Sequence, residues 1–455
     1  MKKIVVIGGG PAGYPAALQA ARLGAQVTLI EKHKLGGVCL NYGCIPSKSL
    51  LDIAHRLEQV RVLGALGTDG AAETVEKLIA SRDWQKIQAR QQKATAKLVQ
   101  GIAFLLKKAG VTVLQGTASF IDEHQVAVQT EAGQQILQAD GIIIAVGTEA
   151  FYPAPFDQLR GEILDNSTIF SMKELPHSLA IVGGGVIGCE MADLMHTLGV
   201  EVHIIEMQPR ILPLEDENAA RILMQQFAKK GIGLHTGVSA VSAHKTDTGF
   251  ELVLSNQEKI QTQAVLAAIG RCANLAELKL ENIGVTWDRK GVKVDPQTLQ
   301  LKNNIYAAGD VTGLMLLAHA ATRQGEVAAS NLCGVPAVYD NTRVPRAIYT
   351  SPEIAAVGIS RVQAQAQHIP LKVHKSFFLA NGRAVAQEMT DGYVEWFSNA
   401  ETGQLLGASF VGAQSTELIA VAGVALQAGM TVEQLKKVIF AHPTLAESLG
   451  EALAR

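Results

Sequence analysis

Three observations predict an α/β protein with two nucleotide-binding units of one pattern and a further α+β unit behind them. A glycine-rich turn, Gly8-Gly-Gly10-Pro-Ala-Gly13, follows an apolar run near the N-terminus. The same arrangement returns as Gly183-Gly184-Gly185-Val186-Ile187-Gly188, and from about Val344 the text changes to alternating strands followed by helices. At 455 residues, such a chain divides into roughly three domains of ~150 residues, each with room for a core.

In the first unit, Lys3 to Ile7 reads as a buried strand and Gly8 to Gly13 as a GxGxxG turn. Tyr14 to Leu23 reads as a helix ended by Gly24, and Gln26 to Ile30 as a strand closed by Glu31. The glycines permit a tight turn and close approach of backbone to a pyrophosphate, the helix N-terminus supplies partial positive charge, and the acid can bind a ribose hydroxyl. The second unit repeats each part: strand 178–182, the turn from Gly183, a helix to Leu198, Gly199, and strand 201–205 closed by Glu206. Glu31 stands 23 residues after Gly8, as Glu206 does after Gly183. Chance matches rarely repeat their spacing, so the chain carries two dinucleotide sites of Rossmann type.

Each unit ends in an apolar strand capped by glycine, at Gly147 and at Gly270. The first runs 139 residues between its glycine landmarks and the second 87, leaving 52 extra residues in the first. That insertion holds Cys39 and Cys44, in Cys39-Leu-Asn-Tyr-Gly-Cys44-Ile-Pro-Ser-Lys48. It also holds a helix from Asp83 as N-cap to Lys108, stopped by Gly110, with Ile87, Ala94, Leu98, Ile102 and Leu105 at helical spacing. In an ideal helix, residues five apart lie about 8.6 Å apart at Cα, whereas a disulfide needs less than about 7 Å. Joining the two cysteines therefore requires a distorted turn, for which Gly43 and Pro46 are suited. Two buried thiols or half of a metal site, with His33 nearby, are the alternative readings, although the short zinc spacing is absent.

Beyond the second unit, 303–310 is a strand ending on Asp310, which can accept hydrogen bonds from sugar-like hydroxyls or cap the following turn. An Ala-rich helix runs on to Ser330. The expected divisions are 1–147, 148–270, 271–340 and 341–455. A formal charge of −2 without any Lys/Arg block gives no electrostatic reason for a nucleic acid or anionic membrane partner. The apolar stretch 418–430 is shorter than the ~20 residues needed to span a bilayer. Glycines and Pro11 break the resemblance of the N-terminus to a signal peptide, so a cytoplasmic location is expected. Cys189, Cys272 and Cys333, scattered through apolar sequence, are read as buried, inert thiols.

Together these residues resemble the pyridine nucleotide disulfide oxidoreductases over nearly the whole chain. The most specific parts are 39–48, 183–190, Gly309-Asp310, Ala380-Asn-Gly-Arg-Ala384 and His442-Pro-Thr-Leu-Ala-Glu447. The resemblance implies FAD in the first site and NAD in the second, no metal, and a C-terminal dimerisation domain in an obligate homodimer. It implies a redox disulfide between Cys39, which exchanges with substrate, and Cys44, which faces the flavin. Lys48 paired with Glu190 would lie beside the flavin. His442, oriented by Glu447, would be the acid/base serving the other subunit. Gly8, Gly10, Gly13, Glu31, Gly37, Lys48, Ala118, Asp310 and Ala318 match FAD positions. Gly183, Gly184, Gly185, Val186, Ile187, Gly188, Glu206, Val238, Gly270 and Arg271 match NAD positions. The branch it resembles most oxidises dihydrolipoamide borne on lipoyl domains of 2-oxo acid dehydrogenase or glycine cleavage complexes. A glutathione- or trypanothione-type reductase and a flavin-binding redox sensor without turnover are the rivals. Glu206 opposes NADPH, because a carboxylate repels a 2′-phosphate.

Overall fold

The computed structural model describes residues 1–454. Its first sheet has six strands in the order Gln300–Lys302, Ile305–Ala307, Gly141–Ile144, Lys3–Ile7, Gln26–Glu31 and Thr112–Gln115. All neighbours are parallel except the outer pair 300–302 and 305–307. Parallel strands covered on both faces must be apolar throughout, and Ile4 to Ile7 and Ile142 to Ile144 are accordingly buried. The second sheet repeats the centre of the first: Gly233–Thr236, Glu201–Glu206, Ser178–Val182 and Ala264–Ala267, all parallel. Each unit also carries a three-stranded antiparallel meander, at 117–138 and 240–262. The internal repeat is thus structural as well as sequential.

The segment after the second unit returns to the first sheet, where Ile305 pairs with Ile142 and Ala307 with Ile144. Helix Ala318–Leu332 then lies against helix Gly13–Arg22 so closely that a Cβ on Gly325 would stand 2.1 Å from the Ala12 carbonyl oxygen. From Arg346 a five-stranded antiparallel sheet packs on helices Ser415–Gln427 and Glu447–Ala454, around Trp396, Phe378 and Phe410. Among the described residues no helix is long and apolar enough to cross a membrane.

Two expectations need correction. Helix Trp84–Lys108 forms with Asp83 as its N-cap, accepting from the Lys86 N–H, but its buried residues are Trp84, Gln91, Ile102 and Leu106. Leu98 and Leu105 are 45% and 48% exposed. Apolar spacing admits more than one inward stripe, and packing of Ile102 and Leu106 into the core under helix 13–22 selects this one. Of the three scattered cysteines only Cys189 is buried, while Cys272 and Cys333 are half-buried.

Candidate active site

The two glycine turns have the same geometry. Gly8 has φ +102° and Gly183 φ +105°, a region that L side chains rarely adopt. A Cβ on either would meet a carbonyl oxygen 2.3 Å away, on Ala145 or Ala268. One on Gly13 or Gly188 would stand 1.8 or 2.0 Å from the carbonyl of Gly8 or Gly183. The closing acids match as well. Glu31 accepts from the N–H groups of Gly9 (2.7 Å) and His33 (2.6 Å), and Glu206 from those of Gly184 and Gln208 (2.7 Å each). Both acids are buried at the tip of a strand beside the turn.

The space over the turns is kept free of side chains. A Cβ on Gly10 would have only the Cα of Gly37 nearby, at 3.8 Å, and one on Gly185 would meet nothing within 4 Å. These are cradles that any side chain would fill, bounded by helix N-termini and a carboxylate, and they fit the diphosphate and ribose of a dinucleotide. Gly37 joins the first turn to the cysteine segment: its φ is +56°, and a Cβ there would lie 2.8 Å from the Cα of Gly10. Val186 and Ile187 are exposed on the first helical turn of the second cradle. The Val238 N–H donates to the Glu206 carbonyl at 3.2 Å. Ala118 is buried in the first meander strand, two residues beyond Gly116, whose N–H donates to the Glu31 carbonyl.

Cys39 lies in helix Gly37–Tyr42 and Cys44 opens helix Cys44–Ala65, with the break at Gly43 (φ −145°, ψ −108°). This is the distorted turn that the spacing demands. The two thiol groups neighbour each other across that break, close enough for each to act on the other's ionisation. Their ionisation is divided unequally. Cys39 is pushed up, first by its hydrogen bond to Cys44 and then by burial. Cys44 is lowered to about 7 by that hydrogen bond from Cys39, with burial opposing and Lys48 assisting. Lys48, one turn along, reaches both oxygens of Glu190 at 2.9 and 2.7 Å. The Glu190 side chain is only 4% exposed, so this ion pair supplies a buried carboxylate with a charged partner.

Asp310 follows Gly309 at the end of strand 305–307. Burial raises its pKa, with the Thr148 hydroxyl (3.0 Å) and Arg271 opposing. A buried carboxylate with one side-chain donor suits a ligand that brings hydroxyl groups. Ala318 begins the helix that follows. Arg271 turns inward: its guanidinium donates to the Thr148 hydroxyl and carbonyl and to Asn166 (2.7 Å), joining the antiparallel ribbon of 148–150 and 271–273 to the Asp310 loop. Its backbone follows Gly270, whose φ is +129°. Thr148 and Asn166 escaped the sequence reading, although Thr148 directly follows the landmark Gly147. Tyr349, which lies over Lys48, also escaped and has no local motif to reveal it.

His442 and Glu447 lie together. His442 Nδ1 lies 2.9 Å from Glu447 Oε1, and Glu447 Oε2 accepts from the Thr444 N–H at 2.8 Å. That backbone donor, then His442, holds Glu447 below the ordinary carboxylate range. The imidazole is 79% exposed. Within the protomer no hydrogen bond among the described residues joins it to either cysteine. Among those residues, no group of three or more His, Cys, Asp or Glu is placed to hold a metal ion.

Paired dinucleotide cradles around a dithiol define a class, and the comparisons agree with it. The pyridine nucleotide-disulphide oxidoreductase family matches residues 2–325, and the dimerisation domain of that family matches residues 344–453. The chain belongs to this family, and its cofactors are FAD and NAD. It is 41% identical over 453 residues to a dihydrolipoyl dehydrogenase of Bacillus subtilis, covering 99% of this chain and 97% of that one. It is 38% identical to a dihydrolipoyl dehydrogenase of Chlamydia muridarum, covering 98% and 95%. Among solved structures it resembles LpdA of Mycobacterium tuberculosis, with TM-score 0.92, 31% identity and coverage of 100% and 99%. It also resembles the HOCl-induced flavoprotein disulfide reductase RclA of Escherichia coli, with TM-score 0.85, 26% identity and coverage of 99% of each chain.

Proposed function

We propose that this protein oxidises dihydrolipoyl groups carried on partner proteins to lipoyl disulfides, with NAD+ as the final acceptor. Lipoyl domains of 2-oxo acid dehydrogenase or glycine cleavage complexes are the partners that suit this chemistry. The observation that carries the reading is the unequal thiol pair: Cys44 is lowered to about 7 beside Lys48, while Cys39 is held protonated. One sulfur is thereby suited to leave as a thiolate and the other to exchange with substrate.

In the oxidised enzyme a substrate thiol gives its proton to His442 and attacks Cys39 Sγ. The Cys39–Cys44 bond breaks and Cys44 leaves as thiolate. The second substrate thiol then attacks the mixed disulfide, releasing the lipoyl disulfide and leaving Cys39 reduced. Glu447 fixes the tautomer of His442 by accepting from Nδ1, so that Nε2 takes and returns the proton. The exposure of the imidazole within one protomer, with the dimerisation-domain match, supports a homodimer in which His442 of one chain serves the cysteines of the other.

Gly8, Gly10, Gly13, Glu31, Gly37 and Asp310 would hold FAD, with Lys48 near it, and the flavin would supply the two-electron relay between the dithiol and NAD. Glu206 selects NAD. Arg210, a basic residue that could favour NADP, donates to the carbonyls of Leu212, Pro213 and Glu215. The deciding experiment compares turnover of dihydrolipoamide, glutathione disulfide and trypanothione disulfide, with NAD and NADP cofactors in parallel. Dihydrolipoamide with NAD+ is expected to exceed the others by orders of magnitude. Preferred reduction of glutathione or trypanothione disulfide by NADPH would overturn the assignment.

A further inference from the structure

We propose that Tyr349 is a positioning residue for the Lys48 ammonium, holding it beside Glu190 and so keeping its charge near Cys44. Lys48 Nζ lies 4.6 Å from the Tyr349 ring centroid, within cation–π range, while Glu190 holds the same ammonium at 2.7 and 2.9 Å. Tyr349 also acts through its backbone: its N–H donates to Glu190 Oε1 at 3.1 Å. One residue thus touches both members of the ion pair, the cation by its ring and the anion by its main chain.

The segment bearing Tyr349 is itself anchored. Glu190 and Asp193, both buried on helix Val186–Thr197, take the N–H groups of Tyr349 (3.1 Å) and Ser351 (2.7 Å). Asp193 also binds Lys230 at 2.6 Å. Two buried carboxylates therefore fix the chain at 349 and 351. Lys48 needs this support. Its side chain is 31% exposed, and its long flexible stem would otherwise swing towards water.

The groups that act on Cys44 come from three elements. Cys39 donates to it from the preceding short helix, and Lys48 favours its thiolate from its own helix. Glu190 opposes the thiolate from helix 186–197, and Tyr349 feels the Cys44 charge from the C-terminal segment. Tyr349 stays neutral, because burial above all pushes its hydroxyl up, with Glu353, Glu417, Glu190 and Cys44 adding to the effect. It contributes a ring face and no charge. Removing the ring leaves Glu190 in place while loosening the cation that offsets it.

The inference rests on the reading of Cys44 as the reactive thiolate, and its test separates the two. In flavin-loaded enzyme carrying Cys39→Ser, the alkylation rate of Cys44 by iodoacetamide is followed against pH, with peptide mapping to confirm the site. Lys48→Met marks the full effect of losing the cation. Tyr349→Leu is expected to move the half-point up by about 0.5 unit, whereas Tyr349→Phe, which keeps the ring, should leave it at the parent value. An unmoved or lowered half-point in Tyr349→Leu, or a Tyr349→Phe profile that matches Leu, would overturn the role of Tyr349. A parent half-point at the ordinary thiol value would instead overturn the reading of Cys44. Thermal midpoints report folding, and Tyr349→Met, closer in volume, replaces Leu if that variant unfolds. Loss of fold in both would show a structural role only and would reject the proposal.

Discussion

At the scale of residues, chemistry rests on short polar contacts whose partners are far apart in sequence. Cys39 and Cys44 were legible as a pair because five-residue spacing in a Gly- and Pro-bearing segment is unusual. Their unequal ionisation was not legible, since it depends on a hydrogen bond between them and on Lys48 held by Glu190. The His442–Glu447 pair lies within one six-residue motif and could be read directly. We expect Glu447→Gln, which can still hydrogen-bond the ring but no longer carries charge, to lower kcat about tenfold or more with KM for dihydrolipoamide little changed. Steady-state kinetics at pH 7 checks this, and an unchanged kcat would remove Glu447 from the proton path.

Among elements, the repeated strand–turn–helix–strand unit was legible almost in full, because each glycine answers a local steric demand that sequence states directly. Gly8 and Gly183 sit at φ near +100°, and Gly13 and Gly188 leave no room for a Cβ. Gly325 escaped notice, because its constraint comes from a helix more than 300 residues away in the chain. Gly325→Ala should push helix 318–332 off the first glycine turn and disturb the Asp310 loop, which precedes that helix. The expected result is destabilisation of about 1–3 kcal/mol with weaker FAD retention, seen in the thermal midpoint and in flavin content after gel filtration. A variant with unchanged flavin content and midpoint would show that the close approach is not required. The inward face of helix 84–108 was misread for a related reason. Periodicity states that a stripe exists, and the neighbour decides which stripe is covered.

For the whole molecule, the outward-facing His442 is the informative feature. Cys44→Ser and His442→Ala homodimers should each be inactive. Co-unfolded and reassembled, they should recover about a quarter of the parental activity, because half of the dimers are mixed and each mixed dimer holds one complete site. Absence of recovery, with mixed dimers confirmed by mass spectrometry, would place the acid/base within the protomer. The class, the two nucleotide cradles, the cysteine pair and the histidine–carboxylate pair were all readable in the linear chain. Backbone strain at glycine, strand periodicity and motif spacing all act over a few residues, so one dimension records them. Folding alone sets which polar groups become partners: Glu190 with Lys48 and Tyr349, Arg271 with Thr148 and Asn166, Arg210 with its own loop carbonyls. Burial strengthens electrostatic and hydrogen-bonding partnerships by removing competing water, and burial is a property of the folded chain alone.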